Sequence, residues 1–335
     1  MMFEKPRPLI PLRPEDQEQP PPAVDYEVHH LTRYRYARPV TSNYGRAHVE
    51  PRATPHQRVL SHEVTVEPEP AVLTAHTDFY GNSSTFLLVS TPHEELAVHS
   101  RAHVSVSLPQ YPLDALSVSW EKCTPEHWGP LVPAEAIDFT HDSPRIHTTP
   151  EVQAIAAEVF TPGRPVGECL AELTRLIHSS FTYASGATTV TSPLEEVLAE
   201  RHGVCQDFAH VGLAVARSVG LAARYVSGYL RTAQASLESL GTRPDGEMIG
   251  SAASHAWLSV LVPGAGWVDI DPTNNTFVDQ RFVTTSWGRD YTDVPPLKGI
   301  VVGPPGATST LDVSVGVVPV PTDASGTGSG APEPA

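Results

Sequence analysis

The chain has 335 residues, and 22 Lys+Arg against 38 Asp+Glu give it a formal net charge of -16. That balance disfavours nucleic acid and anionic membrane as main partners, because both are polyanions. An apolar fraction of 40% supports globular packing, and the length favours two domains over one core.

No apolar run of about 18 residues offers a bilayer span. The N-terminus "MMFEKPRPLIPLRPEDQEQPPP" is Pro-rich and charged where a signal peptide needs an apolar stretch, so a cytoplasmic location is expected. Cys123, Cys169 and Cys205 are widely spaced and odd in number, which argues for reduced thiols rather than a disulfide framework.

Residues 1–24 and 320–335 are rich in Pro, Gly, Ser and charge and read as flexible tails. From 25 to 108, short alternating segments ("DYEVHHLTRYRYARPV", "RVLSHEVTVEPEP", "STFLLVST", "ELAVHSRAHVSVSL") are separated by turn chemistry such as "YGNSS", where Gly81 and Asn82 tolerate positive φ. This region predicts an antiparallel β-sandwich. Residues 109–148 are Pro-rich with little periodicity and read as a linker packed over a surface.

The period then changes. Val152, Ile155, Ala156 and Val159, followed by Leu170, Leu173, Leu176 and Ile177, recur at helical spacing and predict two helices, each opened by a proline. "SPLEEVLAER" predicts a short helix with Ser192 as N-cap and Pro193 at its first position. Three β-like runs come last, "AARYVSGYLR", "SHAWLSVLVP" and "GWVDIDPT", with a polar, mobile loop expected from Thr232 to Ser251. The second domain, 149–319, is therefore α+β, helices first and strands afterwards.

In "RHGVCQDFAHVGLAVARSVG", Gly203 permits a turn, and the apolar positions from Phe208 to Val219 suit a helix stopping at Gly220. Cys205 then sits at the helix N-terminus, where free N–H groups and the macrodipole favour a thiolate. A small buried thiol is the commoner fate of a cysteine, and position alone leaves both readings open.

A thiolate enzyme needs an imidazole. His210 is near in sequence, but five helical residues turn it about 140° from Cys205, so it reads as structural. His255 starts a strand, and a hairpin through "PGAG" brings the start of "SHAWLSVLVP" near the end of "GWVDIDPT", within reach of Asp271. The sum 255 plus 271 is even, whereas a four-residue loop at 263–266 gives an odd register sum; the pairing demands an odd-length loop or a bulge. Parity alone does not exclude Asp269. Asp271 is preferred because "DPT" ends the strand, where site groups meet a cleft.

The blocks "GVCQDFAHVGLAVARSVGLAARYVSGYL", "SHAWLSVLVPGAGWVDIDPTN" and "GRDYTDVPPLKG" together resemble the bacterial transglutaminase-like family, whose core is papain-like. "YEVHHLTRYRYARPVTSNYGRAHVEPRATPHQ" with "DFYGN" resembles the β domain that precedes that core in bacteria. The resemblance spans about residues 25 to 315. It implies a Cys-His-Asp triad at Cys205, His255 and Asp271, and acyl transfer or hydrolysis at an amide through a Cys205 thioester. Peptide or protein substrates bearing amide groups are the implied partners.

The resemblance also implies that Tyr183 stands where animal members carry a tryptophan oxyanion donor; packing beside the site is the alternative. Gln206 lines the site but follows the cysteine, whereas papain-like proteases place their oxyanion glutamine before it, so that role does not transfer. Trp257 either shields the imidazole or caps the core. "GRDYTDV" places Arg289, Asp290 and Tyr291 in a loop read as structural. His99 and His103 alternate on a strand, and "HEEL" at His93 lacks the second histidine of a zinc helix, so neither metal nor other cofactor is expected. The competing reading is a non-catalytic peptide-binding or assembly module that uses a papain-like cleft.

Overall fold

The computed structural model describes residues 21–128, 134–231, 248–249, 253–306 and 308–320. The tails at 1–20 and 321–335 and most of the loop expected from Thr232 to Ser251 lie outside the described residues.

Two four-stranded antiparallel sheets form the β unit. One has the order β15–β1–β6–β3, with β1 Val24–Val40, β3 Gln57–Glu67, β6 His93–Val106 and β15 Ser309–Pro319. The other has the order β14–β2–β5–β4, with β2 Ser42–Ala47, β4 Val72–Thr77, β5 Ser83–Val89 and β14 Leu297–Val302. Alternation in the sequence decides which side chains turn inward. Tyr36, Val40, Val66, Leu96 and Val98 of the first sheet and Leu87 and Val89 of the second make one buried cluster, the expected sandwich core. At "YGN" only Gly81 takes a positive φ, +76°. Asn82 is instead pinned by hydrogen bonds to Asp78 and to the Trp287 backbone.

The expected domain boundary at 319 needs correction. β14 pairs with β2 and β15 with β1 along eleven residues, Tyr26–Tyr36 against Ser309–Pro319, so the chain returns to close both β sheets. These two strands were not among the runs read from the sequence, and local patterning carries no information about partners as far back as Ala47 or Tyr26. The 109–148 stretch is also more than a linker. It forms α1 (Leu113–Leu116), two short 3₁₀ turns and α2 (Ala134–Asp138), and it sends Tyr111, Leu116, Cys123 and Ile146 into the main core.

That core is built from α3 (Pro150–Val159), α4 (Val166–Ser180), α5 (Leu194–Glu200) and α6 (Cys205–Ser218). They pack against a sheet of order β12–β11–β10–β9–β13: β9 Ala223–Leu230, β10 His255–Val262, β11 Gly266–Asp271, β12 Thr276–Phe277 and β13 Phe282–Gly288. All eight apolar positions read from the α3 and α4 periodicity are buried. The α5 cap differs from expectation. Pro193 is the N-cap, and the Ser192 hydroxyl accepts the Thr189 N–H at 3.2 Å instead of capping the helix. The β unit docks on this sheet through Tyr229 and Val283, which are buried among Tyr26, Val28, Val104 and Val317. Among the described residues, no helix is long and apolar enough to cross a membrane.

Candidate active site

α6 begins at Cys205, with Val204 as N-cap and a left-handed Gly220 (φ +83°) just past its end, as the Gly-to-Gly span implies. The turn before it is held by Asp207 at the helix N3 position. Its carboxylate accepts the Val204 N–H at 2.8 Å and the Thr188 hydroxyl at 2.6 Å. Gly203 serves close approach rather than an unusual φ, because a Cβ there would lie 2.6 Å from Asp207 Oδ2. Burial pushes the Asp207 carboxyl up, against these hydrogen bonds.

The β10–β11 hairpin meets the parity demand. Val262 pairs with Gly266 and Leu258 with Ile270, leaving a loop of odd length, Pro263 to Ala265. Continuing this register makes His255 a diagonal neighbour of Asp271. The two side chains are fully buried, and His255 Nε2 lies 2.8 Å from Asp271 Oδ2. Asp271 is itself clamped: Oδ1 accepts the backbone N–H of Thr273 (2.9 Å) and Asn274 (3.3 Å), and Oδ2 also accepts Asn274 Nδ2 at 2.7 Å. Asn274 was missed in the sequence. The Asp-x-x-Asn spacing of "DPTN", a local turn in which the second side chain folds back on the first, is the signal that finds it.

The second imidazole nitrogen, Nδ1, is buried without a hydrogen bond of good geometry, and the Cys205 thiol lies close enough to act on the ring electrostatically. Burial alone lowers the imidazole pKa. The charge of Asp271, then that of Cys205, and their hydrogen bonds outweigh it, so His255 is raised to about 10. Cys205 keeps 9% exposure, whereas Cys123 and Cys169 are sealed at 0% and burial pushes those thiols up to about 11 and about 12. All three are free.

Other expected positions fall as follows. Tyr183 lies in a two-residue parallel ladder, β7 (Thr182–Tyr183) beside β8 (His202–Gly203), paired with Gly203 two residues before the cysteine. Its ring meets Phe208 edge-on at 6.3 Å. Gln206 turns toward the Val190 carbonyl (3.5 Å). Trp257 is fully buried, its ring 6.2 Å from that of His255 and its Nε1–H donated to Asp269 at 3.3 Å. Asp269, the alternative that parity left open, therefore binds the tryptophan and not the histidine.

His210 accepts the Tyr291 backbone N–H at 3.3 Å and packs against Tyr225. Burial lowers its pKa to about 4, so it is a neutral structural acceptor. The "GRDYTDV" loop is structural too: buried Asp290 accepts the Arg145 and Thr292 N–H groups, and Arg289 pairs with Asp293.

Residues 26–105 match the bacterial transglutaminase-like N-terminal region, and 153–272, which contain Cys205, His255 and Asp271, match the transglutaminase-like superfamily core. An uncharacterized Mycobacterium tuberculosis protein is 42% identical over 303 residues, covering 88% of this chain and 92% of its own length. The chain belongs to the transglutaminase-like superfamily. The fold agrees: a Cytophaga hutchinsonii crystal structure described as a "Putative Cysteine Protease" superposes with a TM-score of 0.69 at 22% identity, over 90% of this chain and 92% of that one. A Pseudomonas aeruginosa protein-glutamine gamma-glutamyltransferase is 29% identical over 136 residues, 38% of this chain and 19% of that protein. The match to the glutamyltransferase thus covers one segment, while the likeness to the C. hutchinsonii fold extends over nearly the whole chain.

Proposed function

We propose that this superfamily member is a cysteine enzyme that acts on peptide or glutamine side-chain amides through a thioester on Cys205. The observation that carries the reading is the buried His255, bound through Nε2 to a clamped Asp271 while its other nitrogen is left for the thiol. An imidazole oriented by a carboxylate beside a thiol is the acid–base arrangement that thioester chemistry requires and that holding a peptide does not.

In this mechanism the Cys205 thiolate attacks the amide carbonyl carbon, and the imidazolium of His255 gives its proton to the departing amine or ammonia. The tetrahedral oxyanion meets the Cys205 backbone N–H, which the first turn of α6 leaves free of intrahelical bonds. The Tyr183 hydroxyl, carried on the strand paired with Gly203, is the candidate second donor. Water or an amine then attacks the thioester, His255 takes its proton, and the thiolate leaves. Asp271 holds the ring orientation throughout and stabilises its charged form.

The similarity to a named glutamyltransferase favours glutamine side chains as acyl donors, and the protease description of the C. hutchinsonii structure favours backbone amides. A glutamine-containing peptide library, incubated with and without a primary amine and read by mass spectrometry, separates the outcomes. Amine incorporation marks acyl transfer, addition of water with loss of ammonia marks deamidation, and backbone cleavage marks proteolysis. Each product must disappear in Cys205→Ala; unchanged peptides with the wild-type protein would refute the proposal.

A further inference from the structure

An edge strand offers unpaired N–H and C=O groups to any other chain, and sandwiches blunt their edges with charge, polar residues or bulges. Three of the four edges in the β unit are blunted. β3 is bulged between Val59 and Ser61, β15 carries the Arg35–Asp312 ion pair, and β4 turns polar at Thr74, His76 and Thr77. β14 differs. Its sequence "LKGIVV" runs beside β2 without a register shift, and Ile300 is 70% exposed, Val301 and Val302 46% each.

The ladder shows what this edge presents. The carbonyls of Pro296 and Val302 accept N–H groups from His48 and Thr41, so Lys298 and Ile300, which keep the same parity, also turn their backbone groups toward β2. Gly299 and Val301 therefore aim theirs at the open edge, where no strand lies among the described residues. On the outer face Ile300 lies in register with Tyr44, Leu88 and Val72, an apolar row across all four strands. On the inner side a hollow of about 180 Å³ lined by Tyr36, Val40, Val301 and Ser309 marks where the two sheets part.

We propose that β14 is a homodimer interface, in which a second copy of this chain pairs antiparallel along the edge about a two-fold axis at Ile300. Gly299 and Val301 of each copy exchange backbone hydrogen bonds with Val301 and Gly299 of the other. The two four-stranded sheets become one of eight, and the apolar row continues into its own copy.

Other centres fit less well. Centring on Lys298 opposes like charges, and centring on Gly299 runs the apolar row into Lys298 and Arg46 of the second copy. Centring on Val301 sets Lys298 and Leu297 opposite Pro304 and Pro305, beyond the strand. At Ile300, Lys298 meets Val302, which its aliphatic stem can cover.

The area is sufficient for a reversible dimer. The exposed parts of Ile300, Val301, Val302, Leu311 and Val313, with the edge backbone and the Lys298 stem, come to roughly 500 Å² per copy, so a pair hides about 1,000 Å², the lower bound of a specific interface. The chain's own ends are poor alternatives, because β1 enters at Val24 and β15 leaves beside Tyr26, a 17-residue strand away from the Ser42–Val302 pair.

The test is sedimentation velocity of the full chain from about 1 to 100 µM, a span that covers micromolar dissociation constants. Wild type should pass from monomer to dimer. Ile300→Lys, which sets two charges against each other on the axis, should weaken the dimer at least tenfold with the melting temperature unchanged, since Ile300 is largely exposed. Register is read in a Cys205→Ala background. Ile300→Cys should form an intermolecular disulfide with oxidised glutathione, because directly opposed residues that are not hydrogen-bonded place their Cα atoms about 4.5 Å apart. Lys298→Cys should not, as the two copies of that residue would lie about 14 Å apart. A monomer throughout, an assembly larger than a dimer, a dimer indifferent to Ile300→Lys, or Lys298→Cys linking as readily as Ile300→Cys would overturn the proposal.

Discussion

Asp271→Asn is the sharpest perturbation of the His255 environment. In the wild type, Asp271 Oδ1 takes two backbone N–H groups while Oδ2 takes His255 Nε2 and Asn274 Nδ2. An asparagine that keeps its carbonyl on the backbone pair presents an NH₂ group to both His255 and Asn274. Nε2 must then accept, the ring proton moves to Nδ1, and the nitrogen needed as base toward Cys205 is lost. In serine-protease triads the corresponding carboxylate-to-amide change lowers kcat about 10⁴-fold, and a loss of about 10³–10⁴ is expected here.

Stability should follow with a defined pH dependence. His255 is raised from 6.5 to about 10, so the pair stabilises the fold fully below pH 6.5, and that contribution is lost as pH rises through about 10. At about 1.4 kcal/mol per unit the ceiling is roughly 5 kcal/mol, and breaking a buried pair costs about 3–5 kcal/mol. Urea denaturation should therefore show Asp271→Asn about 3 kcal/mol less stable at pH 6, with the gap narrowing toward pH 10. A gap below about 1 kcal/mol at pH 6, or one that widens with pH, would refute the reasoning.

Three further outcomes follow from the packing. Asn274→Ala removes the side-chain donor to Asp271 Oδ2 and should slow Cys205 alkylation about tenfold, in line with about 1.5–3 kcal/mol for a hydrogen bond to a charged group; stopped-flow labelling checks this. Gly228→Ala puts a Cβ into the Val283 carbonyl oxygen and the Trp257 ring, and calorimetric melting should show a loss of about 3 kcal/mol. His210→Gln keeps an acceptor for the Tyr291 N–H, so it should cost about 1 kcal/mol in urea and leave the Cys205 alkylation rate unchanged.

Much of this site was legible because its determinants are local. The start of α6 follows from the Gly203–Cys205 turn and the apolar period that ends at Gly220, and the hairpin register follows from parity once an odd loop is required. The carboxylate clamp is equally local in "DPTN", but asparagine is a common turn residue, and its spacing alone does not distinguish a turn former from a donor to a catalytic carboxylate. The partners of β14 and β15 were not legible at all, since strand pairing across almost the whole chain leaves no periodic trace. Ser192 illustrates a subtler failure: a good N-cap residue before Pro193 found its donor in the preceding turn, at Thr189.

The central claim is that Cys205 is a nucleophile made reactive by His255. Iodoacetamide labelling at pH 6.5, resolved by peptide mapping, tests it most directly. Cys205 should label at least 10²-fold faster than buried Cys123 and Cys169, and His255→Ala should lower its rate at least tenfold with the fold retained. A Cys205 rate no greater than that of the other two thiols, or one indifferent to His255→Ala, would contradict the account.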